Sequence, residues 1–165
     1  LIAQANPVRV MASGDQRFNH LDETYDGRRS DIMDNAFVIV EFDNGVRASL
    51  DLSMFAEGTV NNEEVSIVGQ RGKAEAFIPS GIVRVGERSG WGSGVTERVI
   101  TDDRVLVEGF HHGASFLEHL DFADALRHGT PALVGAEDGF WSVLMGLAAH
   151  RSIDERRVVE MSELL

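Results

Sequence analysis

Asn35-Ala-Phe-Val-Ile-Val-Glu-Phe-Asp-Asn-Gly-Val-Arg-Ala-Ser-Leu-Asp-Leu-Ser53 reads as two strands joined by a tight turn. Asn35 to Phe42 is rich in β-branched and aromatic residues, and Val46 to Ser53 alternates: Val46, Ala48, Leu50 and Leu52 fall on one side, Arg47, Ser49, Asp51 and Ser53 on the other. A period of two puts alternate side chains on opposite faces of a sheet, so one face meets a core and the other meets water or a partner. Between the runs stands Asn44-Gly45, a pair suited to the positive φ angles of a type I′ hairpin turn.

Working outward, Val8 to Ser13 predicts a strand on the N-terminal side, separated from the hairpin by the polar stretch Gly14 to Asp34. That stretch carries His20, Asp22, Glu23, Tyr25, Asp26, Arg28 and Arg29 without periodicity, and a loop of about 20 residues inside a compact domain is often functional. On the C-terminal side, short strands are expected at Glu64 to Val68, Lys73 to Ile78, Ile82 to Glu87, Val95 to Thr101 and Arg104 to Glu108, with turns at Arg71-Gly72, Pro79 to Gly81 and Ser89 to Gly94. Connections this short cannot make parallel crossovers, so the sheet is expected to be mostly antiparallel.

The pattern changes at His111. Ser115 and Glu118 have capping-box spacing, Phe116, Leu120 and Ala123 form an apolar stripe, and Gly129 with Thr130-Pro131 ends the helix. A second helix is expected from about Glu137 to His150, with Glu137 and Asp138 at the positive end of its dipole, His150 and Arg151 at the negative end, and Phe140, Leu144 and Leu147 buried. Arg157 to Met161 is a candidate last extended segment. Strands first and helices second define an α+β fold: a large, mostly antiparallel, open-faced sheet with two main helices packed on one face. A length of 165 residues suits one domain, 1–165, with one core.

Composition excludes several function classes. There are 27 acidic residues against 15 basic ones, a net charge of -12, and Lys73 is the only lysine, so no basic face exists for nucleic acid. Apolar runs fall short of the ~20 residues of a membrane helix. Cysteine is absent, which removes thiolate chemistry and fits a reducing compartment, with the cytoplasm as the expected location.

Few residues are candidates for chemistry. Gly90, Gly92 and Gly94 do not complete a dinucleotide fingerprint, because Glu97 stands where the third glycine of G-x-G-x-x-G would be. Gly113-Ala-Ser115-Phe-Leu117 lacks the second glycine of a serine-hydrolase elbow, and Ser115 reads as a helix cap. His111, His112 and His119 lie near Glu118, Asp121 and Asp124, but on a helix His112 and His119 would be about 10 Å apart along the axis, too far for those two alone to chelate a metal. His111 and His112 precede a helix, where polar side chains are positioned for binding. His20 and Tyr25 occupy the long loop, and hydroxyl-rich ligands need neutral donors and acceptors of this kind. These four are the candidate substrate-binding residues; no metal ligand is assigned.

The hairpin Asn35 to Leu52, followed by Val65-Ser-Ile-Val-Gly-Gln-Arg-Gly-Lys-Ala-Glu-Ala-Phe77, resembles the strand pair and glycine turn of the Gfo/Idh/MocA (glucose-fructose oxidoreductase / inositol dehydrogenase-like) oxidoreductase family. The segments Glu118 to Gly129, Glu137-Asp-Gly-Phe-Trp-Ser-Val143 and Ala148 to Met161 resemble its closing helices and last strand, in the same order. The resemblance implies a C-terminal domain of the glyceraldehyde-3-phosphate-dehydrogenase-like kind that forms one wall of a substrate cleft and an oligomer contact. It also implies an N-terminal Rossmann domain, absent from this chain, that binds NAD or NADP. Family members carry a catalytic lysine in an E-K-P segment and an aspartate/histidine pair ahead of this domain; neither maps onto a residue here, so no catalytic residue is assigned. The implied activity of the full-length protein is oxidation or reduction of a polyol, sugar or related hydroxylated substrate, with the fragment alone inactive. The alternatives are a non-enzymatic dimerisation or interaction module and, less favoured by the histidine spacing, a metal hydrolase.

Overall fold

The structure, a computed structural model, describes residues 2–90 and 94–165. In chain order its elements are β1 (Pro7–Asp15), β2 (Thr24–Tyr25), β3 (Arg28–Arg29), β4 (Asn35–Phe42), β5 (Arg47–Ser53), β6 (Glu63–Gly69), β7 (Gly72–Ile78), β8 (Ile82–Glu87), β9 (Val95–Val99), α1 (Ala114–His128), α2 (Ala136–Glu155) and β10 (Val159–Glu160), closed by a 3₁₀ turn, Met161–Glu163. The strand pairings are antiparallel and the class is α+β, as the sequence pattern predicts. The chain groups into two compact units, Leu1–Phe55 with Val134–Leu165, and Ala56–Leu133, and each holds one four-stranded sheet.

In the first unit the sheet order is β10-β1-β4-β5. Register pairs Ala36 with Leu52, Val38 with Leu50 and Val40 with Ala48; Ala36, Val38 and Val40 are buried, whereas the apolar side expected of the second strand is not, Leu52 being only partly buried and Val46, Ala48 and Leu50 exposed. The opposite face carries Met11, Phe37 and Ile39, all substantially exposed. The hairpin turn differs from expectation. Phe42 N–H donates to the Val46 carbonyl at 2.9 Å, Gly45 N–H donates to the Phe42 carbonyl at 3.0 Å, and of the central residues only Gly45 has positive φ (84°). This is a three-residue loop ending in a left-handed glycine; a type I′ turn would need Asn44 at positive φ as well. The Asn44 carboxamide oxygen instead accepts from Val46 N–H at 3.1 Å, which stabilises the longer loop.

Helix α2 lies against β1 and β10. Its buried residues are Leu144, Ala148 and Ser152, with Trp141, Met145 and Ala149 beside them, packed on Val10, Val38, Val40, Val159 and Met161. The stripe expected through Phe140 and Leu147 is therefore rotated: both are about half exposed. Small residues on the sheet side, Ala148 and Ser152, let the helix axis approach β1 closely, and this decides the orientation more than bulk does. The helix also runs one turn past His150, to Glu155, and Arg156 caps it in the left-handed conformation (φ 53°), its N–H donating to the Ser152 carbonyl. His150 and Arg151 thus stand within the helix and the last turn holds no basic residue. Glu137 and Asp138 do occupy the first turn, where their charge suits the dipole.

Beyond Val10 the edge of β1 loses its β10 partner, because β10 is only two residues long. Ser152 takes over: its hydroxyl accepts from Ala12 N–H at 2.9 Å and donates to the Arg157 carbonyl at 2.6 Å. One buried side chain so ties strand, helix and tail together.

In the second unit β6-β7-β8-β9 form a meander. Gly72 is required where β7 meets β8, since a Cβ there would lie 2.0 Å from the Gly86 carbonyl oxygen. The expected turn Ser89 to Gly94 includes Trp91, Gly92 and Ser93, which lie outside the described residues. The strand expected at Arg104 to Glu108 is instead a series of turns and bends. Asp102 accounts for it: its carboxylate accepts the Arg104 N–H and guanidinium while its carbonyl accepts Val105 N–H, a local arrangement that competes with strand pairing. Arg104 also reaches Asp121 on α1 at 3.0 Å. Helix α1 begins two residues earlier than a Ser115 cap implies. Its N-cap is Gly113 (φ 89°) with no side-chain cap, so Ser115 is not the cap; Gly129 (φ 64°) ends it as expected. Phe116, Leu120 and Ala123 are partly buried, and Ala125 is the buried residue of the helix.

Candidate functional site

The loop after β1 is more ordered than its composition suggests. Asp34, fully buried at the start of β4, receives on Oδ2 the backbone N–H groups of Arg17 (2.9 Å), Phe18 (2.5 Å) and Asn19 (2.8 Å), and on Oδ1 the Asn35 side-chain amide (2.8 Å). Burial works to raise its pKa, but these four donors outweigh it and hold the carboxyl well below the usual carboxylate range. Asn19 then donates its side-chain amide to the Met54 carbonyl (2.7 Å), and Phe18 meets Phe55 edge to face at 4.8 Å between ring centres. Asp34 is the residue that sequence reasoning missed. Its only signal was an acidic residue directly ahead of an apolar strand, where a solvated loop end was the simpler interpretation.

Beyond this anchor the chain turns at His20, where Glu23 N–H donates to the His20 carbonyl at 3.3 Å, and enters the β2–β3 ribbon. Its turn, Asp26-Gly27, has positive φ at both positions (51° and 76°), the signature expected at Asn44-Gly45 and found here. The ribbon brings His20 and Tyr25 to one carboxylate: Tyr25 donates its hydroxyl to Glu23 Oε2 at 2.8 Å, and His20 Nδ1 lies 3.0 Å from Glu23 Oε1, a contact without hydrogen-bond alignment. The Tyr25 hydroxyl first, and His20 second, lower the Glu23 pKa; the same carboxylate raises that of Tyr25. His20 is mostly covered, whereas the Tyr25 ring is largely exposed.

His111 and His112 belong to the second unit and are exposed on the turn that leads into α1, with His112 in the left-handed conformation (φ 50°). Ala114 N–H donates to the His111 carbonyl at 2.9 Å. His119 is engaged by its own helix, Nδ1 donating to the Ser115 carbonyl at 2.7 Å, and His128 does the same with Asp124 at 2.8 Å. Among the described residues no group of three or more histidine, aspartate or glutamate side chains is placed to hold a metal ion. No helix among them is long and apolar enough to cross a membrane. A groove of about 950 Å3 opens beside β1, lined by Met11, Gly14, Asp15, Phe37, Asp154 and Arg156 among others; none of the four candidate residues lines it.

Residues 3–161 match the model of an oxidoreductase family's C-terminal alpha/beta domain, that of Gfo/Idh/MocA. The chain belongs to this family. Myo-inositol 2-dehydrogenase of Thermotoga maritima is 26% identical over 151 residues, which cover 84% of this chain and 39% of that protein. Solved structures of other proteins share the fold. An oxidoreductase from Agrobacterium radiobacter, solved with NAD+, L-tartaric acid and magnesium, superposes with a TM-score of 0.74 at 15% identity over 97% of this chain and 45% of that one. Levoglucosan dehydrogenase, solved with NADH and levoglucosan, gives 0.74 at 18% identity over 94% and 45%. The chain spans less than half the length of each of these proteins.

The described residues do not themselves suit a dinucleotide. A pyrophosphate needs a glycine loop between a strand and a helix N-terminus, within a parallel βαβ unit. The strand pairs here are antiparallel, and the N-terminus of α2 is taken by its own Asp138, whose carboxylate accepts Gly135 N–H at 3.0 Å beside Glu137.

Proposed function

We propose that this chain is the substrate-side half of an NAD(P)-dependent dehydrogenase acting on a polyol, sugar or related hydroxylated compound. The match of residues 3–161 to an oxidoreductase C-terminal domain carries the proposal. Similarity to an inositol dehydrogenase and to a levoglucosan dehydrogenase supports the substrate class. NAD or NADP is held by an N-terminal Rossmann domain outside this chain, so residues 1–165 alone are inactive and form one C-terminal domain of a cytoplasmic enzyme. When bound, the nicotinamide accepts or delivers hydride; the residues of this chain bind and orient the substrate.

Within the first unit His20 and Tyr25, beside Glu23, are the contacts for substrate hydroxyls. Within the second unit, taken by itself, His111 and His112 ahead of α1 have the same role. The exposed sheet face with Met11, Phe37 and Ile39 is the homo-oligomer contact, since apolar patches of this kind mark interaction surfaces. That same face is what favours the second reading, a non-enzymatic interaction module. The two separate in one assay. Protein made from the whole reading frame, given NAD+ or NADP+ and a panel of polyols, aldoses and anhydrosugars, reduces the nicotinamide at 340 nm with at least one of them. No reduction with any combination favours the interaction module.

A further inference from the structure

The second unit carries a feature at odds with a chain of net charge -12. Where the β6–β7 turn meets the end of β8, a groove of about 1020 Å3 is lined by Arg71 and Arg88. The backbone holds the two residues together, Arg88 N–H donating to the Arg71 carbonyl at 2.7 Å. Both are exposed, and neither guanidinium has a carboxylate within ion-pairing distance among the described residues, whereas Arg9, Arg84, Arg104 and Arg157 each do. Trp91, Gly92 and Ser93, which follow in sequence, bring no carboxylate. Lys73 is spent on Glu75 at 2.7 Å, and Glu87 is the acidic residue of the groove lining. The arginines therefore leave a positive surplus there.

Two residues further along the strands the lining becomes apolar. Ile67, Ala74 and Val85 form one cross-strand row on a single face, with Ile67 and Val85 40% and 45% exposed. Gly72 stands between this row and the arginines, and a Cβ there would collide with the Gly86 carbonyl oxygen, so the floor is kept free of a side chain at that point.

A guanidinium donates two parallel N–H groups to a carboxylate or phosphate, and an oxyanion shared by two of them also relieves their mutual repulsion. We infer that this groove is an anion site for a small organic carboxylate or phosphate. The charged head bridges Arg71 and Arg88, and a short apolar body lies over Ile67, Ala74 and Val85.

The test uses protein from the whole reading frame with saturating NADH, so that added phosphates do not compete for a nucleotide site. Hexyl phosphate and hexanoate are titrated while the amide signals of Gly72, Ala74 and Gly86 are followed by NMR, with hexanol and inorganic phosphate as controls. Saturable shifts are expected at these amides, and both controls should bind at least about tenfold more weakly. Arg71→Gln and Arg88→Gln should each weaken hexyl phosphate about tenfold, the loss of one hydrogen-bonded charge. Glu87→Gln, which removes a repulsive charge, should tighten it about threefold. These positions are exposed, and an otherwise unchanged amide spectrum verifies that each variant is folded. Absence of saturable shifts, or shifts that persist in the Arg71→Gln/Arg88→Gln double variant, overturns the inference. Hexanol binding as tightly as hexyl phosphate reduces the groove to an apolar patch, and inorganic phosphate binding as tightly removes the role of the apolar row; either result also overturns it.

Discussion

Replacing Ser152 by alanine removes a single oxygen and tests how the first unit is held together. That oxygen accepts from Ala12 N–H and donates to the Arg157 carbonyl, at a site only 1% exposed. In the variant Ala12 N–H loses its partner where β10 no longer reaches, which costs about 1–3 kcal/mol for a covered backbone donor. Arg157 is an exposed residue, and if its carbonyl is rehydrated in the variant the lost hydrogen bond adds about 0.5–1 kcal/mol. The expected sum is roughly 2–4 kcal/mol, and with a urea slope of about 1–3 kcal/mol/M the midpoint falls by roughly 1 M or more. Urea unfolding followed by tryptophan fluorescence reads it, since Trp141 packs against the same core. Amide exchange at Ala12 should accelerate in parallel. Ser142→Ala, at an exposed position of the same helix, is the control and should change stability by less than about 0.5 kcal/mol. A Ser152→Ala midpoint no lower than that of Ser142→Ala would refute the reasoning that this hydroxyl completes the edge of β1.

The rotated helix face predicts a contrast. Leu144→Ala should cost about 2–5 kcal/mol, whereas Leu147→Ala, about half exposed, should cost under about 1 kcal/mol; equal losses in the same urea assay would restore the stripe through Phe140 and Leu147. The C-terminal ion cluster predicts a pH effect. Contact with Arg157, the Glu160 N–H and Arg151 lower the Glu163 pKa to about 2. A carboxylate lowered on folding contributes stability that is present above its unfolded pKa of about 4.3 and is lost as pH falls through the folded value. Wild type should therefore lose stability between pH of about 4.5 and 2 more steeply than Glu163→Gln, and parallel profiles would show that the cluster is not formed in solution.

Periodicity carried the architecture. The alternation in Val46 to Ser53 and the β-branched run before it define the hairpin, and short connections force antiparallel pairing. Features set by tertiary contact or local hydrogen bonds were less legible. Asn44-Gly45 and Asp26-Gly27 are both compatible with a type I′ turn in sequence, and only the second has positive φ at both positions. Arg104 to Glu108 has strand-like composition, yet Asp102 captures the backbone first. Ser115 has capping-box spacing, but Gly113 begins the helix. The α2 stripe turns on how closely small residues let the helix approach β1, which hydropathy does not encode. Of the candidate site, His20 and Tyr25 were visible as residue types in a long polar loop. Their meeting on Glu23, and the hold of Asp34 on that loop, depend on backbone turns without a sequence period.

The division of labour between this chain and a nucleotide-binding domain is tested most directly by titrating NADH, followed by its fluorescence, into residues 1–165 and into protein from the whole reading frame. The account predicts saturable binding by the intact protein and none by residues 1–165 alone. Binding of NADH to the isolated chain, or no binding of NADH or NADPH to the intact protein, would contradict it.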